Sequence, residues 1–116
     1  MRPEDRDLAY LWDMREACRE ISDFISGRSP DQFQNDKMLR RAVERSLEIV
    51  GEAARHISDE TASARPEIPW KSIIGMRNLL AHEYGDARVD RLFLTTKERV
   101  PELLQHLEMF LSSKGH

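Results

Sequence analysis

The chain has 116 residues, of which 40% are hydrophobic and 34% charged, and this size and balance predict a single globular domain. No apolar run approaches the about 20 residues that a membrane-spanning helix needs, so the sequence excludes a transmembrane protein. The net charge of −3 argues against a protein that grips bulk nucleic acid through a strongly basic surface.

The start of the chain and its cysteine content predict a cytoplasmic location. The opening residues, Met1-Arg2-Pro3-Glu4-Asp5, are polar and no apolar region follows them, so no secretory signal is expected. The single cysteine, Cys18, cannot form a disulfide within the chain, which is typical of a reducing compartment. The sequence contains no Cys/His cluster, so neither a zinc site nor another metal cofactor is expected.

The first predicted helix runs from about Asp7 to Ser26. Its apolar residues recur every three or four positions, as one face of an α-helix requires, at Leu8, Leu11, Met14, Cys18, Ile21 and Ile25. Gly27 follows as a typical C-terminal stop. A short extra helix is then predicted, because Ser29 can cap a first turn that begins with Pro30.

The second long helix is predicted from about Asp36 to Ser58. Gly51 lies inside it, at a cost of ~1 kcal/mol relative to Ala. The expected reason for this glycine is the close approach of another helix. The following segment, Asp59 to Pro69, has two prolines and no helical period, so it is predicted to be a loop.

The third predicted helix begins at Pro69 and ends at Gly85, and the fourth runs from about Val89 to Leu111. Pro101 should kink the fourth helix or split it near Arg99. No segment has the alternation of a strand. The sequence therefore predicts an all-α, antiparallel four-helix bundle with a short extra helix. It forms one domain over 1–116, ordered over about 7–111, with a frayed tail at 112–116.

One segment, from Gly75 to Gly85, concentrates the polar residues that could carry chemistry: Arg77, Asn78, His82, Glu83 and Tyr84. On a helix, positions four apart share a side, as 78 and 82 do, and positions seven apart nearly eclipse, as 77 and 84 do. Residues 77 and 82 are about 140° apart and converge only if the arginine bends across or the helix loosens. Spacing alone also fits a purely structural role for these residues, in which they form ion pairs, contact the helix dipole and pack against neighbours.

Other polar and aromatic residues are interpreted as structural. His56 is expected on the surface near a helix C-terminus, and His106 at the boundary of the core. Trp12 and Trp70 are expected in the core or in a dimer contact.

Two pairs of charged residues have more than one possible role. Glu48 and Glu52 share one helix face and could bind a metal, but ion pairs with the flanking arginines are the simpler account. The adjacent Arg40 and Arg41 could contact RNA phosphates or an acidic partner surface.

The run Arg77-x4-His82-x-Tyr84 resembles the motif of HEPN-domain toxins of the HepT type, the partners of minimal nucleotidyltransferase antitoxins. The stretch from Ile68 to Asn78 and the segment from Leu47 to Ala54 are similar to the same family, as is the position of Pro101. The resemblance covers about residues 7–107. Ser46 departs from it, because relatives often have Asn there.

The resemblance implies a HEPN-like ribonuclease toxin that needs no metal, and a dimer is expected because one chain supplies only one catalytic His and one catalytic Arg. Arg77 and His82 map onto the family's catalytic pair, Asn78 onto a supporting polar residue, and Tyr84 onto the tyrosine to which the antitoxin transfers AMP. A neutral imidazole could take the proton of the RNA 2′-OH while a guanidinium stabilises the phosphorane, leaving a 2′,3′-cyclic phosphate. A symmetric homodimer would bring a second set of these groups to the same cleft.

Two other functions compete with this one. The chain could be a non-enzymatic helical dimer that scaffolds or regulates a nucleotidyltransferase, but such a scaffold has no use for the intact trio of Arg77, His82 and Tyr84. A small-nucleotide-binding helical domain is the weaker alternative, since the sequence has no Gly-rich phosphate loop.

Overall fold

The computed structural model describes residues 3–82 and 85–115, with side chains described except at 3–4, 77–82 and 85–87. Over these ranges the chain is helical with no strand, which confirms the predicted all-α class. The elements are α1 (Pro3–Ile25), α2 (Pro30–Asn35), α3 (Lys37–Arg55), α4 (Asp59–Ala64), α5 (Trp70–His82), α6 (Gly85–Leu94), a π-helix (Thr95–Arg99) and α7 (Val100–Ser113).

The core forms where α1 packs against α3 and α7, and α3 in turn packs against α5. Met14, Cys18 and Ile21 of α1 are fully buried, as the helical stripe in the sequence predicts. The short helix α2 adds Phe33, whose ring lies 5.3 Å from that of Phe93. Burial raises the pKa of the Cys18 thiol to about 12, so this cysteine is a packing residue.

The chain boundaries around α2 follow local rules. Gly27 has φ +73°, the left-handed conformation that ends α1. Ser29 then forms a capping box with Gln32, in which each side chain bonds the other residue's backbone N–H. Both features confirm the predicted stop and the predicted short helix.

Gly51 marks the close approach of α3 and α5, as its position inside a helix suggested. A Cβ atom at this residue would lie 3.2 Å from the carbonyl oxygen of Ile73 in α5. The absence of a side chain therefore lets the two backbones come together, and the conformational cost of glycine is offset by packing.

The predicted loop from Asp59 to Pro69 is wrong in its first half, where the chain forms α4. The Ser58 hydroxyl accepts the backbone N–H of Thr61 at 3.2 Å and so caps this helix. The Asp7 carboxylate of α1 accepts three further hydrogen bonds, from the Ser58 N–H, the Ser58 hydroxyl and the Thr61 hydroxyl. This long-range contact stabilises a turn that has no apolar period of its own.

The end of the third predicted helix and the start of the fourth also differ from the sequence interpretation. Gly85 begins α6, four residues before the predicted start at Val89, and the described part of the preceding helix ends at His82. Pro101 splits the following helix near Arg99 as predicted, but through a π-helix and not through a kink alone. Because proline has no N–H to donate, the bonding pattern shifts, and the Val100 N–H bonds the Thr95 carbonyl five residues back.

Across the described ranges, none of the helices is both long enough and apolar enough to cross a bilayer.

Candidate active site

The predicted catalytic segment occupies the end of α5. Arg77, Asn78 and His82 belong to this helix, which ends at His82. Their side chains lie outside the described residues, and Tyr84 lies outside them altogether. The roles of these four residues therefore stay predictions, and the described structure bears on the elements that hold the segment.

The N-terminal end of α5 is anchored by Trp70. Its indole N–H donates to the carbonyl oxygens of Ala62 and Arg65, each at 3.1 Å. Ile68, two residues before, is 1% exposed. Together with the close contact at Gly51, these interactions fix where α5 starts and how it lies on α3.

The helix that follows the predicted catalytic segment, α6, is anchored by an ion pair with α3. The Arg88 guanidinium lies 2.6 Å from the Glu44 carboxylate, and Arg41 bonds the same carboxylate at 3.2 Å. The Glu44 and Arg88 side chains are only 12% and 22% exposed, so water screens their attraction less than at an open surface. Since α6 begins directly after the motif, this pair fixes the helix that follows the predicted catalytic residues.

A cavity of about 600 Å³ lies beside α5, between it and the π-helix and α7. Its apolar lining includes Leu47, Val50, Ile73, Val100 and Leu103. Its polar lining consists of Glu67, Ser72, Thr95, Arg99, Glu102 and His106. Gly75 and Met76 of α5 also line it, so the cavity reaches the residue next to Arg77.

The other two histidines in the described structure behave as the sequence predicted. His56 is exposed at the C-terminus of α3, where it contacts Glu52 at 3.2 Å and stacks on Tyr10 with ring centroids 5.0 Å apart. His106 is half-buried at the boundary of the core.

The carboxylates of α3 form ion pairs, as predicted. Glu48 contacts Arg45 at 3.4 Å and Glu52 contacts Arg55 at 2.8 Å. The Arg55 and His56 hydrogen bonds lower the pKa of Glu52. In the part of the chain that the structure describes, no group of three or more His, Cys, Asp or Glu side chains is placed to hold a metal ion.

The adjacent basic pair of α3 has structural partners. The Arg40 guanidinium donates to the backbone carbonyls of Phe33 and Gln34, at the end of α2. Arg41 bonds Glu44. Of the tryptophans, Trp70 packs against the core, while Trp12 is 48% exposed, so a core role for Trp12 is wrong and a dimer contact stays a prediction.

Sequence reasoning missed Glu44 and Arg99. Glu44 had a usable signal, because it interrupts the apolar stripe between Val43 and Leu47, and a buried carboxylate needs a cationic partner. Arg99 had none, because its position at the cavity depends on the packing of α5 beside the π-helix.

Comparisons of this chain with a family model and with individual relatives point to the same family of ribonucleases. A family model of HepT-like ribonucleases matches residues 14–110. A presumed RNase of Methanocaldococcus jannaschii is 37% identical over 105 residues, covering 90% of this chain and 96% of the relative. A presumed ribonuclease HepT of Thermococcus cleftensis is 39% identical over 94 residues, covering 81% and 86% of the two chains. No solved structure matches this chain.

Proposed function

This chain belongs to the family of HepT-like ribonucleases, and we propose that it is itself a metal-independent endoribonuclease. The observation that carries the proposal is the run Arg77-x4-His82-x-Tyr84, which lies within the family match and whose Arg77 and His82 belong to α5. The anchors at Trp70 and at the Glu44–Arg88 ion pair support it, because catalytic groups act well only on rigid elements.

The proposed reaction uses the nucleophile that RNA carries. His82, as a neutral imidazole near pH 7, takes the proton of a 2′-OH, which then attacks the adjacent phosphorus. The Arg77 guanidinium stabilises the charge that develops on the phosphorane oxygens, and Asn78 supports it. The 5′-oxygen leaves, and the product ends in a 2′,3′-cyclic phosphate.

The proposal includes a homodimer of antiparallel four-helix bundles. A single chain supplies one His82 and one Arg77, whereas the departing 5′-oxygen still needs a proton. A two-fold axis near the end of α5 would place a second copy of both residues at one cleft. It would also gather basic groups locally on a chain whose net charge is −3.

Two substitutions test the catalytic assignment. His82→Ala and Arg77→Ala should each lower the rate of RNA cleavage by about 10²-fold or more, with unchanged helical content by circular dichroism. His56→Ala and Arg55→Ala are the matched controls, since both residues are exposed and lie at the end of α3. Cleavage by His82→Ala at the parent rate would show that the assignment is wrong.

Metal independence has its own test. Cleavage of RNA by the full chain should continue in excess EDTA, because the 2′-OH mechanism needs no metal-bound water. Activity that disappears in EDTA and returns with Mg²⁺ or Mn²⁺ would contradict the mechanism.

We extend the proposal to the control of this activity in a toxin–antitoxin pair. A nucleotidyltransferase antitoxin would transfer AMP from ATP to the Tyr84 phenol and release pyrophosphate. The added negative charge and the adenosine would oppose RNA binding next to Arg77. Intact-mass spectrometry should show whole AMP units added to the parent and none to Tyr84→Phe, which should remain an active nuclease. Equal labelling of both proteins would refute the site.

A further inference from the structure

The cavity beside α5 has the size and the composition of a small-ligand site. Its volume of about 600 Å³ falls in the range of roughly 300–1,000 Å³ that such sites occupy. Apolar side chains of three elements form much of its lining, including Leu47 of α3, Ile73 of α5 and Leu103 of α7. All three are buried, so this part of the cavity is built into the core.

The polar groups around this cavity are largely uncommitted. The side chains of Arg99 and Ser72 have no hydrogen bond or ion pair within the described part of the chain. The Glu102 carboxylate lies 4.0 Å from His106, too far for a hydrogen bond. Glu67 has only a 3.9 Å contact with Arg65. The cavity therefore offers free donors and free acceptors next to an apolar lining.

The π-helix supplies one wall of the cavity. Both of its ends, Thr95 and Arg99, line the space, and Glu102 follows one turn later in α7. Insertions of this kind are frequent at functional sites, where they redirect side chains out of the regular helical order. The missing N–H of Pro101 explains why the π-helix forms here. The wider turn that results explains why the exposed Arg99 lies beside an apolar cavity.

The mixture of charges decides which ligand fits. A free phosphate would be attracted by Arg99 but repelled by Glu67 and Glu102. A purely apolar ligand would use the apolar lining but none of the charged groups around it. A nucleobase has apolar faces for the lining and a polar edge for the charged groups. Guanine matches best, because its O6 and N7 accept from arginine while its N1–H and N2–H donate to a carboxylate.

We propose that this cavity binds an unpaired guanine base of the RNA substrate, with Arg99 and Glu102 reading its edge. Unpaired bases are the usual targets of sequence-specific RNA recognition. This inference rests on the proposed ribonuclease function, because the guanine site and the proposed catalytic site would share helix α5. Gly75 lines the cavity, and His82 follows it by two helical turns, about 10.5 Å along the axis.

A binding experiment tests the base site without any cleavage. The four nucleoside 5′-monophosphates are titrated into the full chain, and methyl NMR signals of Ile73, Met76 and Leu103 are followed. GMP should shift these signals at a concentration about tenfold lower than AMP, CMP or UMP. Arg99→Gln and Glu102→Gln should each weaken GMP binding about tenfold.

Lys97→Gln is the matched control for charge, since Lys97 lies in the same π-helix but packs over the Phe93 ring and does not line the cavity. It should bind GMP as the parent does. Equal affinity for all four nucleotides, or no shift at these methyl groups, would overturn the inference. So would the same shifts on raising the protein concentration alone, because a second copy of the chain would then cover the cavity.

A cleavage experiment separates this inference from the proposed function. Short single-stranded RNAs that differ only in one guanosine, replaced by an abasic residue, are compared with parent and Arg99→Gln protein. The parent should cleave the guanosine substrate about tenfold faster, and Arg99→Gln should lose that preference. Cleavage without preference overturns the guanine site alone. GMP binding without any RNA cleavage overturns the proposed function and supports the guanine site.

Discussion

Removing the Asp7 carboxylate should cost this small protein a large part of its stability. Asp7 is 5% exposed and accepts hydrogen bonds at 3.0 Å from the Ser58 N–H, at 2.6 Å from the Ser58 hydroxyl and at 2.5 Å from the Thr61 hydroxyl. These bonds join the start of α1 to the start of α4, which has no buried residue of its own. The stability of α4 therefore depends on this carboxylate.

The magnitude follows from the number and the surroundings of these bonds. A hydrogen bond to a charged group contributes about 1.5–3 kcal/mol. Ser58 and Thr61 are half-buried, so their hydroxyls can bond water once the carboxylate is gone. We therefore expect Asp7→Ala to lower the free energy of unfolding by about 3 kcal/mol. Asp7→Asn keeps the shape and one acceptor, and should cost about 1 kcal/mol.

The same contact predicts a dependence on pH. Burial raises the pKa of Asp7, but the hydrogen bonds from Ser58 and Thr61 outweigh it and hold the pKa below its ordinary value of 3.8. The charge of Asp7 therefore contributes its full stability above the ordinary value, and this contribution disappears as the pH falls through the lowered pKa. The difference in stability between the parent and Asp7→Asn should shrink accordingly in acid.

Urea unfolding followed by circular dichroism, repeated from pH 7 to pH 2, measures both effects. Asp13→Ala is the control, because Asp13 is an exposed residue of the same helix and should change stability by no more than about 0.5 kcal/mol. Equal urea midpoints for Asp7→Ala and Asp13→Ala would refute the reasoning. A gap between the parent and Asp7→Asn that is as large at pH 2 as at pH 7 would refute its electrostatic part.

Three further predictions concern packing and burial. Gly51→Ala should destabilise the fold by about 1 kcal/mol in urea unfolding, despite the better helix propensity of alanine, because its Cβ would press on the Ile73 carbonyl at 3.2 Å; a more stable variant would contradict this. Glu44→Gln should cost about 2 kcal/mol in the same assay, since it leaves the Arg88 charge partly buried beside a neutral partner, whereas an unchanged midpoint would show that the pair is dispensable. The Cys18 thiol, with its pKa raised to about 12, should react with a disulfide reagent at pH 8 at least about a hundredfold more slowly in the folded protein than in urea, and equal rates would contradict its burial.

The sequence was sufficient for the features that depend on near neighbours. Apolar residues three or four positions apart predict the long helices, because a helix buries one face whatever it packs against. Gly27 and Ser29 mark the end of α1 and the start of α2, because a left-handed glycine and a capping hydroxyl act within one turn. The sequence also contained the run of Arg77, His82 and Tyr84, on which the proposed function rests.

Features that join distant segments required the tertiary structure. The helix α4 was missed because part of its support comes from Asp7, 51 residues before Ser58. The pairing of Glu44 with Arg88 spans 44 residues, and the sequence contains other arginines that could have served. In both cases the partner is chosen by how the helices pack, which no local pattern encodes.

The cavity illustrates the same division within a single site. Pro101 predicted a disturbance near Arg99, because a missing N–H is a property of one residue. Whether that disturbance would become a kink, a break or a π-helix was not determined locally. That Arg99 then meets Ser72 and Ile73 around one space was decided by the packing of α5 on α3, where Gly51 lets the two backbones come close. The sequence by itself thus determined the helices and the residues available for chemistry, and the packing of those helices decided which residues share a site.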